Sequence, residues 1–371
     1  MVDAAPTHHG DDEVRDGLVQ GNVRGRGAGV NPGNRFESVR LHVLGEHLDD
    51  EARDHPQGRQ VATSILDDHT RSIINRVDSP DLPFNWTVNP YRGCEHGCVY
   101  CYARPTHELL GFSCGLDFET KIMAKRDAPR LLRDALRHDK WQGEPIVMSG
   151  VTDPYQPMEE ELRITRGCLE VCAELGQPVS LITKNRLIQR DVDLLADLAV
   201  RGLTRCVVSL TTLDNRLAAS MEPRASSPTA RLETIARLSE AGIPVIVMTA
   251  PIIPGLNDHE IPRLLQAASD AGAVGAGYIM LRLPYQVKAI FLDWLARTRP
   301  EAAGRVEAYL RGVREGELSD AQFGTRFRGT GPRAEQISMT FDVFKRRYKL
   351  DRPLPAMKRG EIHRRQLGLF G

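Results

Sequence analysis

The sequence carries no net charge, because its 49 Lys and Arg residues balance 49 Asp and Glu residues. Bulk charge therefore predicts no polyanionic partner. Aromatic residues are scarce at 6%, whereas apolar residues at 41% and charged residues at 26% are typical of an ordinary globular protein. This balance excludes a largely disordered chain.

Long apolar runs and targeting segments are also lacking. The longest apolar stretch, residues 243–256, contains three prolines and is too short to span a membrane. Residues 1–14 show neither the basic nor the apolar region of a signal peptide. We expect a cytoplasmic protein without a membrane partner.

The number of cysteines is odd, so they cannot all pair within the chain. The chain has seven, and three of them, Cys94, Cys98 and Cys101, lie within eight positions. An odd and clustered set argues against the disulfide framework of a secreted protein. It favours metal chemistry in a reducing compartment.

The composition divides the chain into three zones. Residues 1–60 are polar, with 11 acidic and 7 basic side chains, and predict a flexible N-terminal arm. Residues 61–284 alternate short β-rich runs with amphipathic helical stretches. Residues 285–371 predict a helical extension that ends in a basic tail.

The middle zone contains about six βα units. Their strands are apolar throughout, which indicates parallel strands that are buried on both faces. We therefore predict an α/β fold, either a partial barrel or an open doubly wound sheet. In both architectures ligands gather at the C-terminal ends of the strands.

The three clustered cysteines follow the first predicted strand with the spacing C-x3-C-x2-C. Three thiolates on one tight loop can hold three corners of a cubane iron–sulfur cluster and leave one iron open for a ligand. The alternative is a structural zinc site, with His96 or His107 as the fourth ligand.

This motif, with Tyr100 before its third cysteine, resembles the signature of the radical S-adenosylmethionine (SAM) enzymes. Further segments are similar to the spore photoproduct lyase-like branch of that superfamily: residues 89–94, 101–104, 151–157, 182–184 and 221–224. The similarity spans about residues 84–284 and implies a partial (βα)6 barrel of parallel strands.

The resemblance implies a 4Fe–4S cluster on Cys94, Cys98 and Cys101, whose open iron binds SAM. An external one-electron donor would then drive reductive cleavage of SAM to a 5′-deoxyadenosyl radical. Eight positions are implied to contact SAM, at the ends of the second to fifth strands and beside the third cysteine: Tyr100, Ser149, Gly150, Thr152, Asp153, Lys184, Ser209 and Ile253. Asp153 has a structural alternative, since Asp-Pro also begins turns.

Three residues are candidates for contact with the substrate. Arg282 ends the sixth strand and is expected to bind anions, Cys114 is expected to place a second thiol in the cavity, and Tyr102 follows the third ligand. Spore photoproduct lyases keep a hydrogen-donor cysteine at a position that matches Gly150 or Val151 here. Thymine-dimer reversal is therefore not assigned.

The C-terminal segment Gln366–Phe370 resembles the peptide by which bacterial replication and repair proteins bind the DNA polymerase sliding clamp. It follows a stretch, residues 326–365, with 12 Lys and Arg against 4 Asp and Glu. Such a stretch supplies phosphate affinity, so we expect DNA as the substrate and the clamp as a partner. Three alternatives stay open: packing of the tail on the barrel, a protein or small-molecule substrate, and a non-catalytic metal-binding adaptor.

Overall fold

The structure is a computed structural model, which describes residues 14–15, 23–36, 43–44, 60–354 and 356–360. The segment Gln366–Phe370 lies outside the described residues. Among the helices that are described, none is long and apolar enough to cross a membrane.

Six parallel strands form the main sheet, in the spatial order β6-β5-β4-β3-β2-β1. They are β1 (Trp86–Val88), β2 (Ile146–Met148), β3 (Val179–Thr183), β4 (Thr204–Ser209), β5 (Val245–Ile252) and β6 (Gly275–Met280). The antiparallel strand Ile74–Arg76 extends the sheet beyond β1. Among the described strands, β6 pairs only with β5, and β1 pairs with β2 and with Ile74–Arg76. The two edges of the sheet therefore do not meet, and the predicted partial barrel is confirmed.

Helices cover the outer face of this sheet. The strands are buried almost throughout, as the residues of β4 show. The longer helices are α1 (Ala128–Arg137), α2 (Ile164–Leu175), α3 (Val192–Val200), α4 (Pro228–Glu240), α5 (Ile261–Asp270), α6 (Val287–Thr298), α7 (Pro300–Gly312) and α8 (Gly331–Arg347). The short helical segments are Arg104–Leu110, Leu116–Thr120, Glu159–Leu162, Arg186–Asp191, Asn215–Met221 and Asp258–Glu260.

A second, smaller sheet lies beside the cysteine loop. Its strands are Ser64–Asp67, Lys121–Ala124 and Tyr91–Arg92, with Lys121–Ala124 in the centre. The strands Val14–Arg15 and Val43–Leu44 form a separate antiparallel pair. The smaller sheet holds both ends of the connection from β1 to α1, in which the three cysteines lie.

The helical extension after β6 closes one end of the barrel. The α6 and α7 helices pack with the cysteine loop in one apolar cluster, to which Phe291 and Trp294 contribute. On the free edge of β6, Met280 N donates to Phe327 O at 2.9 Å and Ala276 N donates to Leu350 O at 3.2 Å. Backbone groups that parallel pairing would leave open are thereby satisfied.

Part of the polar N-terminal zone is packed on the barrel. Within residues 23–36, Val23, Ala28 and Asn34 are buried. The expectation of a flexible arm over residues 1–60 does not describe this piece. Its order comes from buried carboxylates elsewhere in the chain, which its backbone amides and side chains satisfy.

Candidate functional site

The cysteine loop lies at the C-terminal end of β1. Cys94 and Cys98 are buried, Cys101 is half-buried, and all three are free thiols. The loop turns sharply at Gly97, whose φ of +66° favours glycine. A Cβ atom there would also lie 2.7 Å from Glu119 Oε2, so glycine is required for space as well.

The three thiols lie close enough to influence one another. Burial raises the pKa of Cys98, the Glu222 carboxylate and the other two thiolates raise it further, and the Lys184 ammonium opposes them. Within the described ranges, no three His, Cys, Asp or Glu side chains converge on a single metal ion.

Neither histidine proposed as a zinc ligand completes such a site. His96 Nδ1 faces Asp153 Oδ2 at 3.4 Å, and its Nε2 lies 3.3 Å from Asn185 Nδ2. His107 is packed against Phe112 and Phe118, with ring centroids 5.2 and 5.6 Å away. His96 also forms a hydrogen bond with the Cys94 thiol, so one of the two histidines lies within reach of the cysteine loop.

A buried acid fixes the aromatic residue of the motif. Glu222 accepts hydrogen bonds from the Tyr100 hydroxyl and from Thr211 Oγ1, the latter at 2.8 Å, and it pairs with Arg231. Burial would raise its pKa, but Arg231 and Lys184 lower the pKa to about 2. The Tyr100 ring is therefore held in one orientation beside the third cysteine.

The pattern of the sequence does not reveal the contacts of this network. Glu222 lies in a segment that carried the resemblance, 221–224, but no role was given to it. Thr211 and Arg231 had no distinguishing pattern in the sequence. Only the fold shows that these residues meet.

Lys184 ends β3 and points toward the same network. Its Nζ lies 5.9 Å from the centre of the Tyr100 ring. Burial would lower its pKa, but the Cys98 thiolate and the Glu222 carboxylate raise it above the usual value. No carboxylate within the described part of the chain forms an ion pair with this ammonium, which suits the carboxylate of a ligand.

Asp153 and Thr152 form hydrogen bonds within the protein. Asp153 accepts hydrogen bonds from Thr183 Oγ1 at 2.7 Å, Lys184 N at 2.8 Å and Tyr155 N at 2.9 Å. Thr152 Oγ1 donates to Gly93 O at 2.7 Å. The carboxylate thus joins the ends of β2 and β3, in keeping with the turn alternative, and its contact with SAM stays a prediction.

The end of β2 has an unusual backbone. Ser149 has a φ of +151° and Gly150 one of +139°, in a region that L side chains rarely adopt. Such strain clusters at functional sites. The atoms nearest to a Cβ on Gly150 would belong to Asn89 and Thr87, at 3.5 to 3.8 Å, so a side chain there would make ordinary contacts.

The two other predicted cofactor positions are buried. Ser209 ends β4, and its carbonyl oxygen accepts a hydrogen bond from Arg231 Nη1 at 3.1 Å. Ile253 follows β5 and belongs to the same apolar cluster as Tyr100. Both therefore border the Tyr100 network without an exposed side chain.

The substrate candidates separate into two that face the barrel mouth and one that does not. Tyr102 is 55% exposed, and its hydroxyl donates to Gly150 O at 2.6 Å. Desolvation by the surrounding protein and the Cys101 thiolate raise its pKa to about 12, while Arg282 opposes them. The guanidinium of Arg282 lies 5.2 Å above the Phe327 ring.

Arg282 is short of partners. Its Nε is buried without a hydrogen-bond acceptor, and no carboxylate in the described ranges forms an ion pair with it. Burial and the neighbouring Arg326 lower its pKa. A half-buried cation without an ion pair favours an incoming anion.

Cys114 does not open into the mouth. It is 0% exposed, and its Sγ lies 3.6 Å from Gln286 Oε1. Burial raises its pKa to about 12. The start of the helical extension covers the thiol, and the role of Cys114 toward the substrate stays a prediction.

Comparisons with known proteins agree with this geometry. The radical SAM superfamily model matches residues 88–268. An uncharacterised protein of Mycobacterium tuberculosis is 39% identical over 246 residues, which cover 65% of this chain and 72% of that protein. A protein of Pseudomonas phage M6, named radical SAM Nalpha-GlyT isomerase, is 26% identical over 196 residues, or 53% of this chain and 38% of that protein.

Among solved structures, a mutant of spore photoproduct lyase with bound AdoMet and dinucleoside spore photoproduct is similar in fold. The match covers 85% of each chain, with a TM-score of 0.53 at 14% identity. Members of the radical SAM family use a 4Fe–4S cluster and SAM. Because the matched residues run from the end of β1 into α5 and include all three thiols of the loop, this chain belongs to the radical SAM superfamily of enzymes.

Proposed function

We propose that the chain binds a 4Fe–4S cluster on Cys94, Cys98 and Cys101, cleaves SAM reductively beside it, and acts on nucleic acid. The observation that carries the first two points is the set of three free thiols at the end of β1, next to a Lys184 ammonium for which the described residues show no ion pair. When bound, the cluster passes an electron from an external donor to the sulfonium of SAM.

The residues of the chain would orient the cofactor. Lys184 attracts the carboxylate of SAM, and the Tyr100 ring, fixed by Glu222, supplies an apolar face for the adenine. The backbone at Ser149 and Gly150 lets the methionine part approach closely. Since these groups are held by buried hydrogen bonds, little reorganisation is needed on binding.

Nucleic acid as the substrate rests on two supports. Residues 326–365 carry 12 Lys and Arg against 4 Asp and Glu, which supplies affinity for phosphate. The mouth also holds Arg282 without an acid partner among the described residues, and a phosphate is an anion that arginine binds well. A protein or small-molecule substrate is the second candidate, and a metal-binding adaptor is the third.

Anaerobic reconstitution tests the radical chemistry. We expect four iron and four sulfide per chain, and release of 5′-deoxyadenosine when dithionite and SAM are added. Cys98→Ala should lose both, whereas Cys172→Ala, which removes a buried thiol on α2, should keep both. Zinc in place of iron, with no cleavage of SAM, would favour the adaptor.

A substrate screen tests the nucleic acid. Damaged and undamaged DNA, RNA and unrelated peptides are added to the reconstituted enzyme, and the rate of 5′-deoxyadenosine release is measured. We expect a nucleic acid to raise this rate and to take up label from the cofactor or solvent. Stimulation by peptides alone would reject the nucleic-acid substrate.

Recruitment by the tail is a separate proposal. We propose that Gln366–Phe370 binds the sliding clamp, with Leu369 and Phe370 as apolar anchors. The intact chain is compared with a Leu369→Ala/Phe370→Ala variant for binding to purified clamp. Equal binding by the two proteins, or none by either, would remove the recruitment proposal.

A further inference from the structure

Residues 26–36, called the strap below, lie across the cysteine loop. The backbone N–H groups of Gly27 and Ala28 each donate to the carboxylate of Glu119 at 2.9 Å. Glu119 is 0% exposed. Two consecutive amides of the strap thus satisfy a buried charge that belongs to the connection between β1 and α1.

The same carboxylate is linked to the loop that carries the thiols. Arg104 Nη2 donates to Glu119 Oε1 at 2.5 Å, and Arg104 Nε donates to Cys98 O at 2.9 Å. Strap amides, carboxylate, guanidinium and loop carbonyl therefore form one continuous chain of buried hydrogen bonds. A buried ion pair is favourable only when such additional bonds are made.

The strap also touches the loop backbone directly. A Cβ atom on Gly27 would lie 1.9 Å from Gly97 O, so no side chain fits at that position. Gly29 differs, since the atoms nearest to a Cβ there belong to the side chains of Arg297 and Asp293, at 2.0 and 2.4 Å. Arg297 is partly exposed and can move aside.

A second anchor fixes the far end of the strap. Arg35 pairs with the buried Glu108 at 2.8 Å, and Asn34 Nδ2 donates to Glu108 O at 2.8 Å. Gln286 Nε2 donates to Gly33 O at 2.5 Å. The strap therefore runs from the cysteine loop to the connection between β6 and α6, and bridges the two ends of the open barrel.

We propose that the strap is a positioning element for the cluster, which fixes the backbone at Gly97 and Cys98 and keeps solvent from the thiols. The inference rests on the proposed function, since it requires iron on the thiols. It concerns residues outside the family match, which begins at residue 88. Loss of the strap should loosen the loop while the barrel stays folded.

The test compares Gly27→Val with Gly29→Ala in the full chain. Hydrogen exchange of residues 94–101 is measured in the iron-free protein, and iron removal by a chelator is measured in the reconstituted protein. We expect both rates to rise on the order of tenfold in Gly27→Val, which corresponds to about 1.4 kcal/mol. Gly29→Ala should keep the wild-type rates.

Arg26→Gln is the second variant, in case Gly27→Val does not fold. Arg26 Nη1 donates to Glu119 O at 2.7 Å and Nη2 donates to Val61 O at 2.8 Å, so its loss weakens the attachment of the strap beside the cysteine loop without a clash. Rates equal to wild type in a folded variant would overturn the inference. A wild-type chain that takes up no iron would overturn the proposed function, and exchange of residues 94–101 would still decide whether the strap holds the loop.

Discussion

The two sides of the barrel mouth differ in how their buried charged side chains are paired. On the side of the cysteine loop, Glu119 pairs with Arg104 and Glu222 with Arg231, all of them buried. On the side of β6, Arg282 and Arg314 each leave a buried Nε without an acceptor within the described ranges. The first side pairs its buried charges before any ligand arrives, whereas Arg282 on the second side has no acid partner among the described residues.

The largest effect should come from breaking a pair on the cysteine side. Glu222→Ala leaves Arg231 buried without its acid and removes the acceptor of Tyr100. We expect the free energy of unfolding to fall by about 3–5 kcal/mol, as for other broken buried pairs, measured by denaturant unfolding.

The matched control is Glu307→Ala, which breaks the exposed pair with Arg311 on α7. It should cost about 0–1 kcal/mol. If both variants lost the same stability, the claim that the cysteine side is preorganised would fail.

A smaller effect on the same side depends on pH. Burial lowers the pKa of His107 to about 4 from its usual 6.5. As the pH falls below 6.5, His107 takes up a proton in the unfolded chain but stays neutral in the folded chain. The free energy of unfolding should therefore decline between pH 6.5 and 4, by up to about 3 kcal/mol from this residue.

His107→Leu should flatten that decline, because the leucine keeps the contact with Phe118 and cannot titrate. His138→Leu is the control, since His138 lies on the exposed end of α1. Denaturant unfolding at several pH values measures both. An unchanged slope in His107→Leu would show that other groups set the acid sensitivity.

The smallest effect on stability belongs to the β6 side. Arg282→Gln removes a cation that has no acid partner in the described chain, so stability should change by less than about 0.5 kcal/mol. Affinity for nucleic acid should drop about tenfold, and the dependence on salt should weaken by about one phosphate contact.

Arg297→Gln serves as its control, because Arg297 is already paired with Asp293 on α6. Binding is measured by fluorescence anisotropy at several salt concentrations. A large loss of stability in Arg282→Gln, with unchanged binding, would mean that both sides of the mouth are structural.

Much of the fold followed from local pattern. The strands β3 and β5 are short apolar runs, and the three thiols are only seven positions apart from first to last, so both were visible in the sequence. Lys184 and Arg282 follow the ends of β3 and β6, and the C-terminal ends of parallel strands lie at one edge of the sheet. These features depend on neighbours along the chain.

The remainder depends on contacts between distant residues. Tyr100 and Glu222 are 122 positions apart, and Cys114 and Gln286 are 172 apart. Residue type alone does not tell whether a Glu or Arg is buried, so these ion pairs could not be inferred without the fold. The strap was missed for the same reason, since a glycine- and arginine-rich segment is typical of disorder until its carboxylate partners are known.

The carbonyl groups of Phe327 and Leu350 complete the edge of β6. During ribosomal synthesis β6 emerges well before either of them, so its amides stand open while the rest is made. An open strand recruits strands from other chains. Truncation before residue 327 should therefore produce aggregates, and the extension after β6 protects the nascent barrel from self-association.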